Sequence, residues 1–219
     1  MQSPLIKYND TTAILPPMYC GSVGYYATLA AHKNVVIDCD MRYNKRQKST
    51  HRCHIADTHG ELMLTVPIVK PVNCRQATWN NIEVSTHGQW WNVHKTALFS
   101  AYGRTPFFEF YFDRFLQFFQ HRNREEKESL MSLDCGIDAI IRDILGIDSN
   151  VIYQLSDNVT YINIKDYRND NFVLATAVEY YQVRRQELGF IPNLSVLDLI
   201  FNMGTEAPLV LKEIISKHI

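Results

Sequence analysis

A strand, a helix and a second strand follow one another near the start of the chain, and this order constrains the fold more than any other feature. The apolar run 11–15 stops at two prolines and indicates the first strand. Apolar and aromatic residues recur at helical spacing over Val23–His32, after Ser22 as a favourable N-cap. The β-branched run 35–37 is typical of a buried strand. Together they predict a βαβ unit with two parallel strands and a right-handed crossover.

Further strands are predicted by other runs of apolar and β-branched residues. These runs are 52–55, 61–69, 79–85, 151–155, 161–164 and 178–183. The first two flank His59 and Gly60, which predict a turn. We therefore expect those two strands to form a β-hairpin.

Helical periodicity accounts for most of the remaining chain. The predicted helices are 88–102, 106–119, 130–145, 196–203 and a last one that begins at Thr205. Ser195 and Asp198 stand at capping-box spacing before the fourth helix. The predicted fold class is α/β, with a mixed or mainly parallel sheet that opens with the βαβ unit, flanking helices and a helical insertion in the middle of the chain. The length of 219 residues suits a single domain over 1–219.

Charge and cysteine content exclude several classes of protein. Lysine and arginine number 22 against 23 aspartates and glutamates, a net charge of −1, which disfavours a nucleic-acid coat or a polybasic membrane binder. No apolar run approaches the ~18 residues of a membrane-spanning helix, and the N-terminus lacks a signal-peptide pattern. The five cysteines are odd in number and never spaced C-x-x-C. We therefore expect a reduced, cytoplasmic protein with no nucleic-acid partner and no membrane span.

A basic segment follows the strand 35–37. Residues 42–54 hold five lysines and arginines, two histidines and no carboxylate. Ligands of open α/β sheets bind beyond the carboxyl ends of strands, and arginine and lysine suit phosphate or carboxylate groups. Lys45, His51 and Arg52 are the candidate ligands, and Arg52 is favoured because the chain becomes apolar again there. The alternative is a solvated loop whose charges point outward.

A glycine-containing turn precedes the first predicted helix. Gly21, Ser22 and Gly24 stand where a helix N-terminus could present N–H groups to a phosphate, although the spacing matches no standard phosphate-binding motif. The alternative is an ordinary strand-to-helix loop with Ser22 as the cap. Cys20, close to the same helix start, could have a lowered pKa, although no partner base is identifiable. Tyr19 and Tyr25 are candidates to line a pocket.

Two carboxylates and one histidine are the candidate catalytic groups. Asp38 and Asp40 are two residues apart after the strand 35–37, so in an extended segment they face the same side and suit Mg²⁺ or a general base. Alternatively, they neutralise the basic segment that follows. His94 shares a helix face with apolar residues, where it is either a catalyst or a packed core histidine. No H-E-x-x-H motif or Cys/His quartet occurs, so no metal site is predicted.

The aromatic content of 12% is concentrated partly in residues 107–119. Their aromatic side chains fall on more than one face of the predicted helix, which is more than a simple amphipathic stripe needs. The segment is therefore either core or a surface that docks a partner. The docking interpretation makes the protein a non-catalytic interaction protein.

A series of short motifs resembles the WbqC-like family. In chain order they are Pro17-x-Tyr19 with Gly24-Tyr25-Tyr26, Val36-Ile37-Asp38 with Lys45, Arg52-Cys53-x-Ile55, Leu64-Thr65-Val66-Pro67, Ala101-Tyr102-Gly103-x-x-Pro106-Phe107-Phe108, Leu145-Gly146-Ile147 and Phe190 to Asp198. The chain has His51 where fuller members often carry Asn before the arginine. The resemblance implies a bacterial protein linked to surface-polysaccharide gene clusters, and an enzyme that modifies an activated sugar by acyl or aminoacyl transfer.

These observations lead to one functional hypothesis and one alternative. We expect a transferase-like enzyme of bacterial surface-polysaccharide metabolism that acts on a phosphate-bearing small molecule, such as a nucleotide sugar or an acyl or aminoacyl donor. The expected catalytic residues are Asp38, Asp40 and His94, and the expected substrate-binding residues are Tyr19, Gly21, Ser22, Tyr25, Lys45, His51, Arg52 and Asn193. The alternative is the interaction protein that docks through its aromatic helix. No cofactor is identified, and a homodimer is one possible assembly.

Overall fold

The structure is a computed structural model that describes residues 9–120, 128–154, 163–174 and 178–218. The strands are β1 Asn9–Leu15, β2 His32–Ile37, β3 Arg52–Asp57, β4 Gly60–Thr65, β5 Asn150–Ile152 and β6 Ile164–Asp166. The α-helices are α1 Val23–Ala30, α2 Trp90–Tyr102, α3 Phe108–Tyr111, α4 Leu130–Leu145, α5 Arg185–Leu188, α6 Val196–Met203 and α7 Ala207–His218. Short 3-10 helices span Trp79–Asn81, His87–Gln89, Phe112–Phe119 and Gly204–Glu206. The predicted α/β fold class is confirmed.

The main sheet has four parallel strands in the order β5-β2-β1-β6. The chain leaves β1 through α1 to β2 and continues outward to β5. It then returns to β6 on the opposite side of β1. The predicted βαβ unit is therefore confirmed, and the direction in which strands are added reverses between β1 and β6.

Helix α1 is the crossover of the βαβ unit, and its position follows from its cap and its composition. The Ser22 hydroxyl accepts a hydrogen bond from the Tyr25 N–H at 3.3 Å, as an N-cap does. Every residue of α1 is buried, because the helix packs against α7 and α6 as well as against β2. A helix that is apolar all round is typical of such a buried element.

The predicted hairpin is confirmed as a separate antiparallel pair, β3 with β4. Arg52 pairs with Thr65 at the open end, and Asp57 pairs with Gly60 at the turn. Gly60 has φ +122°, a backbone conformation that other residues rarely adopt. The hairpin is therefore held in one register, which fixes where Arg52 lies.

The strand predicted at 79–85 is wrong. Its beginning is the 3-10 helix Trp79–Asn81, and its end makes only isolated bridges, from Glu83 to Ser129 and from Val84 to Ile68. The Trp79 side chain is completely buried, and the backbone N–H of Trp79 donates to the Met41 carbonyl. Burial of this large side chain against the loop after β2 takes precedence over the local β-propensity.

The single helix predicted at 106–119 is also wrong. The structure has only the four-residue helix α3, followed by the 3-10 helix Phe112–Phe119. Aromatic side chains lose rotamer freedom in a helix and are weak helix formers, so tertiary packing decides the backbone here. In a 3-10 helix residues i and i+3 lie on one side, which places Phe112 and Phe115 together in the core.

The strand predicted at 178–183 is absent, because this segment packs against α6. The Val183 N–H donates to the Asn202 side-chain oxygen at 3.0 Å, and the Gln182 amide donates to the Asp198 carboxylate at 3.0 Å. Residues 161 and 162 of the strand predicted at 161–164 lie outside the described residues, and β6 begins at Ile164. The strand predicted from 151 is confirmed as β5.

Ser195 caps α6, but the predicted capping box is wrong. The Ser195 hydroxyl accepts from the Leu197 N–H, as a cap should. In a capping box the Asp198 carboxylate would accept from the Ser195 N–H, which instead donates to the His54 carbonyl at 2.7 Å. Asp198 is buried and accepts from the Tyr180 hydroxyl at 2.7 Å. Its partners therefore lie in the 178–183 segment and at Asn202, one turn further along α6, and not at the helix start.

Aromatic side chains from the middle of the chain form a buried cluster around Phe201 of α6. Phe201 is completely buried, and its ring centroid lies 5.0 Å from that of Phe108 and 5.4 Å from that of Tyr102. Within 107–119 the buried aromatic residues are Phe108, Phe112, Phe115 and Phe119. Phe110 is 76% exposed. Four of the eight aromatic side chains in this segment are therefore core, three are partly buried, and only Phe110 among them is open to a partner.

The described helices are each too short or too polar to cross a membrane.

Candidate functional site

A cleft opens beyond the carboxyl ends of the parallel strands, between β1 and β6. Open α/β sheets bind ligands at this edge, where the direction of strand addition reverses. The loop after β1 contributes Met18 to Ser22, and the loop after β6 contributes Asn171. The sheet topology therefore accounts for the position of the cleft.

We call the part of this cleft that carries an arginine and several hydroxyl and amide side chains the polar compartment. Its volume is about 190 Å³, and its lining residues are Met18, Tyr19, Cys20, Gly21, Ser22, Ser49, Arg52, Cys53, His54, Asn171, Asn193 and Ser195. The structure thus brings together five of the predicted substrate-binding residues, namely Tyr19, Gly21, Ser22, Arg52 and Asn193. Their roles in binding remain predictions.

Arg52 is the cationic side chain of the polar compartment. It stands at the first position of β3 and is partly buried. Its Nη1 atom lies 3.6 Å from the Met63 sulfur, and its Nε atom is buried with no hydrogen-bond partner among the described residues. No carboxylate in the described part of the chain forms an ion pair with it. A guanidinium left in this state is ready to bind an anion.

Residues 194–196 support one wall of the polar compartment, which Ser195 lines, by bridging the loop after β1 to β3. Four hydrogen bonds make the bridge. They run from Val23 N to Leu194 O (3.0 Å), from Val196 N to Gly21 O (2.9 Å), from the Ser195 hydroxyl to Cys20 O (2.8 Å) and from Ser195 N to His54 O (2.7 Å). With Asn171, the cleft is therefore assembled from four separate parts of the sequence.

Two N–H groups at the start of α1 already have hydrogen-bond acceptors. Val23 N–H donates to the Leu194 carbonyl and Tyr25 N–H donates to the Ser22 hydroxyl. Gly24 lets the backbone of Phe172 pack closely against α1. A Cβ atom on residue 24 would lie 2.2 Å from the Phe172 carbonyl oxygen, which is too close. Close packing thus accounts for Gly24, and the phosphate-binding role of this helix start remains a prediction.

His94 lies beneath the polar compartment and holds the hydroxyl of Tyr19. Its Nε2 atom is 3.1 Å from the Thr65 carbonyl oxygen, which can only accept, so Nε2 carries the proton. The Tyr19 hydroxyl then donates to Nδ1 at 2.8 Å. Burial lowers the pKa of His94 to about 4 and raises the pKa of Tyr19, so both groups are neutral at pH 7. His94 is 1% exposed and acts here as a positioning residue for Tyr19.

We predict that His94 makes the protein less stable as the pH falls below 7. The unfolded chain protonates this histidine near pH 6.5 and the folded chain only near pH 4, so the unfolded state binds more protons in between. The free energy of unfolding contributed by His94 should fall by about 2 kcal/mol between pH 7 and pH 5. Urea unfolding at both pH values measures the loss. His94→Gln keeps one hydrogen-bond donor and one acceptor but has no titratable group. It should therefore lack the part of the pH dependence of the free energy of unfolding that His94 contributes.

His87→Gln is the matched control, because His87 is exposed at the start of the same helical region. It should leave the pH dependence of the wild-type chain unchanged. Equal pH dependence in the wild-type chain and in His94→Gln would contradict the neutral, buried state of His94.

Cys20 does not have the lowered pKa that its position near a helix start suggested. Cys20 is 2% exposed, and burial is the main cause that raises its pKa. Its contact with Cys53 raises the pKa further. The raised pKa keeps the sulfur protonated, so Cys20 is a poor nucleophile in this state. The backbone of Cys20 has φ +45°, and Asn193 across the compartment has φ +59°. Strained backbone of this kind clusters at functional sites.

Asp38 and Asp40 lie outside the polar compartment and have different partners. Asp38 is 3% exposed and accepts from Arg168 Nη1 at 2.9 Å. Asp40 accepts from the side chains of Asn80 at 3.1 Å and Gln154 at 2.7 Å. The Asp38 carboxylate thus pairs with the loop after β6 and not with the basic segment. Catalytic roles for both aspartates remain predictions.

Arg168 links the loops that follow β2 and β6. It contacts Asp38 at one end and Asp166 at 2.7 Å at the other, and these partners flank the end of β1. The Arg168 guanidinium lowers the pKa of Asp166 by hydrogen bonding to it. These two contacts of Arg168 hold the loop after β6 in place, and Asn171 of that loop lines the cleft.

Three of the predicted substrate-binding residues lie outside the polar compartment. Lys45 is exposed in the basic loop. His51 is 8% exposed and donates through Nδ1 to the Val66 carbonyl at 3.1 Å, and burial lowers its pKa. Tyr25 is buried, and its hydroxyl donates to the Pro16 carbonyl at 3.1 Å. Ser49 and Arg52 are the only residues of segment 42–52 that line the compartment.

Sequence reasoning missed Ser49, Cys53, His54 and Asn171. His54 is two residues from Arg52 on β3, and strand alternation could have placed both on one face. Its Nδ1 atom contacts the Glu61 carboxylate. Asn171 follows β6, and the predicted strand at 161–164 did not reveal that this strand neighbours β1. Among the described residues, no cluster of three or more His, Cys, Asp or Glu could hold a metal ion.

Fold and site together define an α/β protein with a small polar cleft, containing one arginine, at the switch point of a parallel sheet. The model of the WbqC-like protein family matches residues 17–168, more than half of the chain. The chain therefore belongs to the WbqC-like protein family. Comparisons with curated proteins and with solved structures gave no match. The family match includes β2–β6 and the loop after β1 from position 17 onward, whereas Asn171, Asn193 and Ser195 lie beyond it.

Proposed function

We propose that the protein is a transferase-like enzyme that binds a small molecule carrying a phosphate group in the polar compartment. Arg52 carries the proposal, because it lines the compartment and its guanidinium has no carboxylate partner among the described residues. An arginine fork binds phosphate through two charge-assisted hydrogen bonds. The substrate would be a nucleotide sugar or an acyl or aminoacyl donor.

The other walls of the compartment support this assignment by their chemistry. The Asn171 and Asn193 amides and the Ser22 and Ser49 hydroxyls could donate to or accept from a polar ligand. Tyr19, whose hydroxyl is held by His94, would place its ring against the same ligand. A few placed polar groups in a cleft are typical of small-molecule sites.

The biological setting rests on the resemblance and on composition. The family resemblance implies bacterial surface-polysaccharide metabolism. The cysteine content favours a cytoplasmic enzyme. The length favours one domain over residues 1–219. We prefer this function to the docking alternative because only Phe110 among the aromatic side chains of 107–119 is exposed.

Binding of phosphate compounds tests the proposal directly. Isothermal titration with inorganic phosphate, ADP and UDP-glucose should give saturable binding to at least one of them. At 100 times its dissociation constant, that compound should stabilise the fold by about 2.7 kcal/mol. Arg52→Gln should weaken its binding by about tenfold to a hundredfold, since hydrogen bonds to charged groups contribute about 1.5–3 kcal/mol.

Arg46→Gln is the matched control, because Arg46 is an exposed residue of the same basic segment. It should bind as the wild-type chain does. Binding of none of the three compounds, or equal losses in the two variants, would reject the polar compartment as a phosphate site.

A further inference from the structure

A second compartment with apolar walls adjoins the polar one, and we call it the apolar compartment. Its volume is about 250 Å³, and its lining residues are Val23, Gly24, Val173, Leu174, Val178, Tyr180, Phe190, Pro192, Asn193 and Ile214. Asn193 is the one amide side chain in this lining. These lining residues belong to the described part of the chain, which does not include residues 175–177.

The two compartments are neighbours, because the same three chain segments run along both. Gly21 and Ser22 line the polar compartment and the next two residues line the apolar one. Asn171 lines the polar compartment, and 173–174 line the apolar one. Asn193 lines both. The apolar compartment is therefore the neighbouring space into which a ligand bound at Arg52 would extend past Asn193.

The polar groups that Tyr180 and Phe172 bring to the apolar compartment are already engaged by other parts of the protein. The Tyr180 hydroxyl donates to the Asp198 carboxylate at 2.7 Å, so it is not available to a ligand. The Phe172 carbonyl is packed over Gly24, at the point where a Cβ could not fit. Meanwhile Val173 is 59% exposed, so apolar surface remains open to a ligand. The walls thus suit an aliphatic chain and not a second polar group.

We infer that the apolar compartment binds the alkyl or acyl chain of a ligand whose anionic group lies at Arg52. This inference rests on the proposed function and narrows its substrate class to amphiphilic anions. Pockets for drug-sized ligands measure about 300–1,000 Å³, a range that neither compartment reaches alone and both reach together. A ligand filling both would contact a cation at one end and an apolar wall at the other.

A series of alkyl phosphates tests the inference. Isothermal titration compares inorganic phosphate with butyl, hexyl and octyl phosphate below their micelle concentrations. Affinity should rise with chain length by up to about fourfold for each buried methylene group, until the compartment is full. Octyl phosphate should bind at least tenfold more tightly than inorganic phosphate.

Two variants locate the chain and the anion separately. Val173→Asp places a negative charge at the open wall and should weaken octyl phosphate at least tenfold more than it weakens inorganic phosphate, which the new carboxylate also repels. The phosphate binding that remains also shows that this variant is folded. Val69→Asp is the matched control, because Val69 is a loop valine that is 48% exposed, and it should change neither affinity. Arg52→Gln should weaken both ligands.

Each contrary outcome identifies which proposal fails. Equal affinities for inorganic and octyl phosphate overturn the apolar compartment and leave the proposed function intact. Octyl glucoside serves as an uncharged chain probe. If it binds and Val173→Asp abolishes that binding while no phosphate compound binds, the proposed function fails and the apolar compartment stands as a chain site. Absence of binding by all probes overturns both.

Discussion

Replacement of Asp138 by Ala is expected to lower the free energy of unfolding by about 3–5 kcal/mol, the cost of breaking a buried ion pair. Asp138 is 4% exposed on α4. Its carboxylate accepts from Arg142 Nε at 2.8 Å, from the Tyr153 hydroxyl at 2.8 Å and from the Tyr26 hydroxyl at 3.1 Å. Without it, a largely buried guanidinium and two buried hydroxyls lose their acceptor. Urea unfolding at pH 7 measures the loss.

Asp143→Ala is a matched control on the same helix. Asp143 also pairs with an arginine, Arg114, at 2.7 Å, but the Asp143 side chain is 73% exposed. Exposed ion pairs contribute about 0–1 kcal/mol, so this variant should remain close to the wild-type stability. Similar losses in the two variants would show that burial of the Asp138 network is not what stabilises it.

Phe201→Ala should also lower the free energy of unfolding by about 3–5 kcal/mol. The variant buries less apolar surface, and the missing ring leaves a cavity that its neighbours fill only in part. Phe201 is completely buried, and the rings of Phe108 and Tyr102 contact it from separate helices. Its removal would therefore loosen α2, α3 and α6 together. Unfolding in guanidinium chloride, with the m-value compared, measures the effect.

Phe110→Ala is the control for Phe201, since Phe110 belongs to the same aromatic part of the chain and is 76% exposed. Its loss should change stability by no more than about 0.5 kcal/mol. A loss as large as that of Phe201→Ala would mean that the Phe110 surface is covered in solution, and would revive the docking alternative.

Local patterns were enough to predict the parts of the fold that depend on local chemistry. The prolines after β1, Ser22 and the β-branched run of β2 define the βαβ unit, and Gly146, with φ +60°, ends α4 as predicted. Prediction failed where distant partners decide the backbone. Trp79 is fixed by the loop after β2, and Asp198 by residues that approach α6 from an earlier segment.

The candidate site shows the same division. Arg52 was identifiable because a basic segment becomes apolar at that residue, and Tyr19 because it follows β1. Asn171 was not identifiable, since nothing in the local sequence says that β6 lies beside β1. Asp38 was expected to face a ligand, but its partner, Arg168, lies 130 positions along the chain. Spacing alone cannot reveal an ion pair of that kind.

The bridge made by residues 194–196 has a consequence for the order in which the protein is completed during synthesis. The Ser195 hydroxyl and the Cys20 carbonyl it binds are separated by 175 positions. Closing so long a loop costs entropy, and such distant contacts form late in folding. While the ribosome still holds residues 194–196, the sheet edge can exist but one wall of the cleft cannot. Ligand binding by nascent chains of increasing length should therefore appear only after this segment has emerged.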